Sequence, residues 1–285
     1  MLAGCGSSSS DSTTTPKAGS SSSTSTSPSV DAALAAKVPA AVKADGKILV
    51  GSDTSYAPNE FLDKDGKTAI GFDVDLFKAV AAKLGLQATF ETADFASIIT
   101  GVKSGKYEMG VSSFTINPER KQQVNMVSYF SAGTQWATKK GNPAGIDITN
   151  ACGKNIAVQK GTVQVVDITA RSKKCTSSGK KGITIDQYQA QNAATAALVS
   201  GKDDAMLADS PVAAYAVKLT GGALETLGAI YEAAPYGYVI KKDQPAFAQA
   251  IADALKALIA DGTYQKVLPK WGVEQGALTT PAVNP

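Results

Sequence analysis

From Lys47 onward, short β-branched runs alternate along the chain with segments of helical periodicity. In the segment 73–84, apolar residues recur at i, i+3, i+4 and i+7, which predicts an amphipathic helix packed on a core. Such alternation is typical of α/β folds with mostly parallel sheets. The pattern predicts strands at 48–50, 88–91, 107–111, 155–159, 183–185 and 205–208, and helices at 73–84, through 98–102, and at 190–200, 211–219, 245–260 and 264–270.

The first of these helices has polar residues at its start that allow two interpretations. Asp73 can cap the helix and Gly85 can end it. Asp73 and Asp75 together also offer two carboxylates to a divalent metal. Because both lie where a helix opens, capping and stabilisation by the helix macrodipole are the better explanation, and no metal site is predicted.

Ser and Thr dominate the segment from Gly6 to about Val30, which contains almost nothing apolar to bury. A segment of this composition cannot repay the entropy lost on ordering. We therefore predict that residues 1–32 form a disordered tether and that 276–285 form a C-terminal tail. No run of about 18 or more apolar residues occurs, so no membrane-spanning segment is predicted.

The segment Met1–Cys5 resembles a lipobox, the bacterial signal in which a cysteine after Leu-Ala-Gly is diacylated. Cys5 is therefore the predicted lipidation site, in what reads as a lipobox remnant. The charged and apolar parts of a signal peptide do not precede it, so a trimmed leader and an accidental match both stay open. Without lipid, the same segment would be a plain disordered tail.

Charge and composition exclude several classes of function. The net charge is only +3, with 28 basic and 25 acidic residues dispersed along the chain, so no nucleic-acid surface is predicted. The chain has no histidine, which removes the commonest general base and metal ligand. If Cys5 carries lipid, Cys152 and Cys175 remain in an oxidising space and a disulfide between them is predicted, with two free buried thiols as the alternative.

The segment Ser112–Arg120 follows a predicted strand and combines small hydroxyl residues with a proline-initiated helix. Its donors would lie at the carboxyl end of a sheet, where α/β folds bind ligands. Arg120 can bind a carboxylate with two hydrogen bonds, and N–H groups at a helix start can add to them. Taken alone, the segment is explained slightly better by a surface arginine on a helix.

Nine motifs in order along the chain resemble the amino-acid-binding class of ABC-importer solute receptors, family 3. The resemblance runs from Lys47 to about Val273. Each motif is weak singly, but their shared order and spacing are specific. The motifs are Asp53-Thr-Ser-Tyr-Ala-Pro58, Gly71-Phe-Asp-Val-Asp-Leu76, Ser104-Gly-Lys-Tyr-Glu108, Ser112 to Arg120, Ser128-Tyr-Phe130, Ile156-Ala-Val-Gln-Lys-Gly-Thr162, Gly201-Lys-Asp-Asp-Ala205, Asp209, and Asp261-Gly-Thr-Tyr-Gln-Lys266.

The resemblance implies an α/β fold of the periplasmic-binding-protein type II class, with two lobes joined by a hinge of two crossings. A ligand held by both lobes would stabilise the closed arrangement. The implied boundaries are 46–133 and 239–275 for a discontinuous lobe 1, 138–233 for lobe 2, and 134–137 and 234–238 for the hinge.

The resemblance also implies roles for single residues. Arg120 would bind the α-carboxylate of an amino acid, assisted by the Thr115 backbone and by N–H groups around Thr162 and Val163. Asp209 would pair with the α-ammonium alongside Ser113, and the rings of Tyr56 and Phe95 would enclose the ligand side chain. The full predicted ligand-binding set is Asp53, Tyr56, Phe95, Ser112, Ser113, Thr115, Arg120, Gln159, Thr162, Val163, Gln164 and Asp209.

The ligand side chain is less constrained. Asp53 matches a position that contacts cationic side chains in receptors for basic amino acids, and aromatic rings suit a guanidinium, so arginine or another basic amino acid is expected. Gln159 and Asn59 depart from the pattern of those receptors and leave glutamine or another polar ligand open. Asp53 can equally be a structural turn residue, because the sequence Asp-Thr-Ser favours turns.

We therefore expect a receptor that binds a free amino acid and delivers it to ABC-importer permease subunits. It would be monomeric, extracytoplasmic or periplasmic, and lipid-anchored to the outer face of the cell membrane. It would need no cofactor, no metal and no catalytic residue. The alternatives are a cyclohexadienyl dehydratase-like enzyme with Asp209 or Glu60 as acid, and a sensor that reports ligand occupancy to another protein.

Overall fold

The structure of the protein is a computed structural model that describes Met1 and residues 29–285. The predicted lipidation site Cys5 and most of the predicted tether lie outside the described residues. None of the helices in the described ranges is long and apolar enough to cross a membrane.

The secondary structure follows the predicted alternation from residue 47 onward. The predicted strand 155–159 and helix 245–260 have the predicted bounds, and the other elements are confirmed with small shifts at their ends. The strands are β1 Lys47–Ser52, β2 Ser55–Tyr56, β3 Glu60–Leu62, β4 Ala69–Ile70, β5 Gln87–Thr92, β6 Met109–Gly110, β7 Asn125–Lys139, β8 Asn155–Gln159, β9 Thr184–Tyr188, β10 Ala205–Asp209 and β11 Leu224–Ile240. The helices are α1 Ala32–Ala36, α2 Ala40–Lys43, α3 Phe72–Lys83, α4 Phe95–Ser104, α5 Pro118–Gln123, α6 Val163–Ser177, α7 Gln191–Ser200, α8 Ser210–Leu219, α9 Pro245–Ala260 and α10 Thr263–Trp271, followed by a 3-10 turn at Glu274–Gly276.

Eight strands form one sheet in the order β5-β1-β6-β11-β7-β10-β8-β9, and β2, β3 and β4 form a small antiparallel sheet. The outer strands are parallel within each half: β5, β1 and β6 at one end, and β10, β8 and β9 at the other. The long antiparallel strands β7 and β11 lie between these halves and join them. The result is an α/β fold built from two parallel halves.

The predicted hinge segments 134–137 and 234–238 lie on β7 and β11. The pairing of these strands shifts register between residues 227 and 231, 231 and 234, and 236 and 237. Such irregularities bend a strand and increase its local twist. Residues 134–138 of β7 pair with β10, whereas the last two residues of β11 pair with β6. Both strands therefore belong to both halves, and the lobe boundaries given above stay predictions.

Two short helices, α1 and α2, precede β1 where no element was predicted. Asp31 caps α1 by accepting the N–H groups of Ala33 and Leu34. Leu34, Val38 and Val42 recur every fourth residue and are buried in the core that also contains α3 and α9. That spacing is the signal for these helices in the sequence.

A disulfide joins Cys152 to Cys175, whose Cα atoms are 5.5 Å apart. The predicted bridge is confirmed, and the alternative of two free thiols is wrong. The bridge ties the loop before β8 to the last turn of α6, beside the core around Trp136.

Asp73 does not cap α3, contrary to the prediction. Gly71 takes the N-cap position with φ of 133°, and a Cβ there would lie 2.0 Å from the carbonyl oxygen of Asn59. The start of α3 therefore packs directly on the backbone of residue 59, and Asp73 is fully buried inside the first turn. At the carboxyl end of α3, the prediction that Gly85 ends the helix is confirmed, because Gly85 follows the helix with φ of 74°.

Candidate functional site

A small, tightly closed cavity of about 10 Å³ lies between the two halves of the main sheet. The structure brings together in its wall all twelve residues that the sequence nominated: Asp53, Tyr56, Phe95, Ser112, Ser113, Thr115, Arg120, Gln159, Thr162, Val163, Gln164 and Asp209.

The cavity residues come from the carboxyl ends of parallel strands in both halves. Asp53 follows β1, and the segment 112–115 follows β6. Gln159 ends β8, and Asp209 ends β10. Ligands of open α/β sheets bind at this edge, because the loops and helix N-termini converge there. A ligand in this cavity touches both halves at once.

Arg120 is a buried cation in one wall. Its Nη1 donates to the Thr115 carbonyl at 2.8 Å and its Nη2 to the Gly161 carbonyl of the opposite half at 3.2 Å. The guanidinium lies 5.4 Å from the ring centroids of both Phe95 and Phe114, so two rings fix its plane. Burial lowers the pKa of Arg120 to about 10. Throughout the described ranges, no carboxylate lies within 4 Å of this guanidinium.

The amino end of α6 faces the same cavity. Thr162 occupies its N-cap position, but the Thr162 hydroxyl donates to the carbonyl of Gln159 at 2.8 Å and does not cap the helix. Within the described part of the chain, the N–H groups of the first turn therefore have no side-chain acceptor. Helix N-termini in this condition attract anions. They add to the positive potential of Arg120.

Asp209 is a buried anion from the opposite half. Its Oδ1 accepts from Gln164 Nε2 at 2.7 Å and its Oδ2 from the Tyr236 hydroxyl at 2.8 Å. The Asp209 N–H in turn donates to the Tyr56 hydroxyl at 3.2 Å. Burial raises the pKa of Asp209, and the hydrogen bonds from Tyr236 and Gln164 oppose that shift. No lysine or arginine of the described chain forms an ion pair with it.

Asp53 differs from Asp209 because the protein already supplies four donors to it. Its Oδ1 accepts the N–H and the hydroxyl of Ser55, at 3.0 and 2.6 Å. Its Oδ2 accepts the Phe95 N–H at 3.0 Å and Gln159 Nε2 at 2.8 Å. Burial raises the pKa of Asp53. Gln159 comes from the opposite half, so this bond also links the two halves.

Several polar residues around the cavity were missed or misread in the sequence. Tyr236, on the second crossing strand, binds Asp209 and was named only as part of the hinge. Asn59 was noted as a departure from the family pattern; its Nδ2 donates to the Ser113 hydroxyl at 2.8 Å. Glu60 and Asp73 lie behind Ser113, fully buried. Only the three-dimensional contacts reveal these roles.

Three or more potential metal ligands are not found together anywhere in the described residues.

Comparison with curated proteins gives relatives that are binding proteins. The arginine-binding protein ArgT of Corynebacterium glutamicum is 37% identical over 250 residues, which cover 87% of this chain and 82% of the relative. Among solved structures, an ancestral arginine-binding protein bound to arginine matches with a TM-score of 0.74 at 33% identity, covering 79% of this chain and 98% of that chain. The structure of an ancestral arginine-binding protein bound to glutamine matches with a TM-score of 0.73 at 32% identity, covering 79% of this chain and 97% of that chain.

An ancestral amino acid-binding protein described as a precursor of cyclohexadienyl dehydratase matches with a TM-score of 0.73 at 33% identity, covering 81% of this chain and 97% of that chain. These likenesses confirm the predicted two-lobed α/β class. The family model of bacterial extracellular solute-binding proteins, family 3, matches residues 48–274. With four fifths of its length matched in this way, the chain belongs to family 3 of the bacterial extracellular solute-binding proteins.

Proposed function

We propose that this chain binds a free L-amino acid with its α-carboxylate on Arg120 and its α-ammonium on Asp209, and delivers it to the permease of an ABC importer. The observation that carries the proposal is a pair of buried opposite charges in one cavity, neither of which forms an ion pair within 4 Å in the described residues. Burying an unpaired charge is costly. A zwitterion supplies both missing partners at once.

Opposite charges on opposite halves also explain how capture would be signalled. The carboxylate site lies on α5 and the ammonium site at the end of β10, so only a closed arrangement completes both contacts. Ligand therefore stabilises closure by its differential contacts with the closed state. The closed form is the species that a permease would distinguish from the empty receptor.

For the ligand side chain, we propose a basic amino acid, with arginine first. The relatives ArgT and the ancestral arginine-binding protein support this choice by their names. The Asp53 carboxylate lies in the wall of the same cavity, where it can attract a cationic side chain. A guanidinium is planar and matches a carboxylate with two parallel hydrogen bonds, whereas an ammonium does not.

Glutamine is the second candidate, and a specific contact favours it. Gln159 donates to Asp53, which leaves that carboxylate with four protein donors and a weakened demand for a cation. The ancestral protein with glutamine bound is a structural relative. Arginine must therefore displace or share the Gln159 amide, while a neutral polar side chain need not.

We propose binding without catalysis. Asp209 accepts two hydrogen bonds and would be held ionised by a bound ammonium, which makes it a poor general acid. Burial raises the pKa of Glu60 well above its usual range, but the hydroxyls of Ser112 and Ser113 separate it from the cavity. Neither carboxyl group named in the dehydratase alternative is therefore placed to deliver a proton to a ligand.

For location, we propose attachment to the outer face of the cell membrane through diacylated Cys5, with the Ser/Thr-rich segment as spacer. The family is extracellular. Membrane fractionation of cells that express the full precursor tests this proposal. Wild-type protein should sediment with membranes and the Cys5→Ser variant should be released; equal sedimentation of both would contradict lipidation.

Calorimetric titration with matched ligands tests the proposed contacts. L-Arginine should bind, whereas agmatine, which lacks the carboxylate, and the 2-hydroxy analogue of arginine, which lacks the ammonium, should each bind at least roughly 100-fold more weakly. L-Glutamine competition ranks the two candidate side chains. Equal binding of arginine and agmatine would show that Arg120 does not hold the carboxylate.

A further inference from the structure

Two carboxyl groups lie directly behind the ammonium side of the cavity, outside the residues that line it. Glu60 on β3 and Asp73 on α3 both have no solvent-exposed surface. Both reach the Ser113 hydroxyl, Glu60 Oε2 at 3.1 Å and Asp73 Oδ2 at 3.3 Å. No lysine or arginine from the described part of the chain lies within 4 Å of either group. They form a buried acidic pair.

The pair holds one proton at neutral pH. Two buried carboxylates on one hydroxyl cannot both be ionised, because neither has a cation to offset the repulsion. Burial, followed by the charge of Asp73, raises the pKa of Glu60 far above its usual range. Burial raises the pKa of Asp73 to about 6, against the opposing effect of hydrogen bonds from Tyr129, Glu60 and Ser113. Because Asp73 also accepts the Ser113 N–H and the Tyr129 hydroxyl, the geometry favours the negative charge on Asp73 and the proton on Glu60.

Asp73 also fixes the backbone that presents Ser113. Ser113 has φ of 51°, in the left-handed region that serine rarely adopts. Its N–H donates to Asp73 Oδ2 at 3.1 Å, and the Tyr129 hydroxyl donates to the same oxygen. Strained residues of this kind persist only where their surroundings hold them, and they concentrate at binding sites. The pair thus sets both the position and the electrostatic environment of Ser113.

We propose that Glu60 and Asp73 are positioning residues for ammonium capture: they hold the strained Ser113 at the cavity wall, and their single negative charge strengthens amino-acid binding until acid neutralises it. This inference rests on the proposed function, in which the ammonium lies beside Ser113 and Asp209. It assigns to Asp73 and Glu60 a role that neither helix capping nor catalysis describes.

The sign of the pH dependence follows from the charge of the ligand. A bound ammonium favours the ionised pair, so the pKa of the pair is lower in the complex than in the empty protein. Between these two pKa values, binding releases a proton to the buffer, and affinity rises with pH. Below both values the pair is neutral and its contribution is absent. For Asp73, the free-protein end of this window is at about pH 6.

Other groups near the pair decide which controls are needed. The tyrosines have pKa values raised by burial and stay neutral throughout this range. The carboxyl groups of Asp53 and Asp209 also have raised pKa values, so a pH profile of the wild type alone is insufficient. The groups that face the pair are Asp53, Tyr56, Tyr129, Tyr236, Tyr238 and Tyr264, with Asp209 and Arg120 across the cavity.

The test is calorimetric titration of L-arginine, with L-glutamine in parallel, into wild type, Glu60→Gln and Asp73→Asn at pH 7.5 and 5.0. Asp73→Asn removes the charge and should weaken binding roughly tenfold at pH 7.5. Between pH 7.5 and pH 5.0, the affinity of this variant should fall less than the affinity of the wild type. Glu60→Gln keeps a donor where the protonated carboxyl was, so its loss should stay within about threefold. Titration at pH 6 in two buffers of different ionisation enthalpy should show proton release that Asp73→Asn diminishes.

Tyr129→Phe gives a second route if Asp73→Asn does not fold. It removes a hydrogen bond that lowers the pKa of Asp73, so the pH at which affinity falls should move upward, which a merely structural role would not produce. An unchanged pH profile in either folded variant would overturn the inference while leaving the proposed function intact. Failure of every amino acid to bind the wild type would overturn both.

Discussion

The charged side chains in the cavity wall fall into two groups that differ in how their charges are satisfied. Arg120 and Asp209 are buried opposite charges that interact across the cavity, but neither forms an ion pair within 4 Å in the described residues. The Asp53 carboxylate is buried to a similar degree but already accepts four hydrogen bonds, one of them from Gln159 across the cavity. Arg120 and Asp209 therefore lack close partners, whereas Asp53 already has its own.

This difference separates two tasks of an amino-acid receptor. Recognition of the α-carboxylate and α-ammonium is common to every amino acid, and in the proposed function it rests on Arg120 and Asp209, whose burial without close partners is costly in the absence of ligand. In the same proposal, recognition of the side chain depends on a carboxylate that must first give up, or share, a protein donor. We therefore expect strong dependence of affinity on Arg120 and Asp209, and a weaker, selectivity-changing dependence on Gln159.

The largest effect is expected for Arg120→Ala, which removes the only side-chain cation among the described residues of the cavity wall. Affinity for any α-amino acid should fall by more than roughly 100-fold, because the ligand carboxylate would be buried without its partner. Arg120→Lys keeps the charge but not the planar two-donor geometry, so it should recover only part of the loss. Calorimetric affinities close to wild type in Arg120→Ala would place the carboxylate elsewhere.

Asp209→Asn should weaken amino-acid binding roughly 10- to 100-fold, since a buried hydrogen bond to a charged ammonium would lose its anion. The 2-hydroxy analogue of arginine serves as the matched control. That analogue lacks the ammonium, and its weak binding should change little in the variant. If both ligands lose affinity equally, Asp209 acts by supporting the fold of the site and not by pairing with the ammonium.

Gln159→Leu should change selectivity more than affinity. Removal of the amide opens one acceptor position on Asp53, which a guanidinium can fill and a neutral side chain fills less well. The ratio of arginine to glutamine affinity should rise about fivefold, as expected for one hydrogen bond. Asp53→Asn is the opposing control and should lower the same ratio. A competition titration that gives the same ratio of arginine to glutamine affinity in all three proteins would show that Asp53 takes no part in side-chain recognition.

Loss of the disulfide should lower the stability of the fold but have the smallest effect on affinity among these changes. Cys152 and Cys175 are 23 residues apart in sequence and neither lines the cavity. Their replacement by serine should cost about 3 kcal/mol of unfolding free energy on the chain-entropy model. Denaturant unfolding measures this cost. Arginine affinity should stay within about twofold of wild type; a larger change would show that the site depends on the bridge.

The sequence predicts much of the fold because its signals are local. The helix 245–260 is marked by apolar periodicity and an initial proline, and these decide its bounds without tertiary contacts. The cavity residues were also predictable, because nine of the twelve lie within the ordered family motifs and the other three, Phe95, Val163 and Gln164, lie close to the start of a helix. Even α1 and α2 left a signal, in the spacing of Leu34, Val38 and Val42.

The unpredicted features depend on contacts between distant segments. Asp73 has the sequence position of a helix cap, but Gly71 brings α3 so close to residue 59 that the carboxylate is buried beside Glu60. The four donors of Asp53 come from residues 55, 95 and 159, and the donor from Gln159 reaches Asp53 only because the two halves close on each other. The Tyr236 contact with Asp209 likewise requires a crossing strand to meet the end of β10.

A thermal-shift screen of the folded protein against the twenty proteinogenic amino acids, ornithine and citrulline tests the central claim most directly. A ligand present at about 100 times its dissociation constant adds roughly 2.7 kcal/mol to the unfolding free energy. We predict that arginine gives the largest rise in melting temperature, that agmatine gives none, and that the rise disappears in Arg120→Ala. A screen in which no amino acid raises the melting temperature of the wild type would contradict the account.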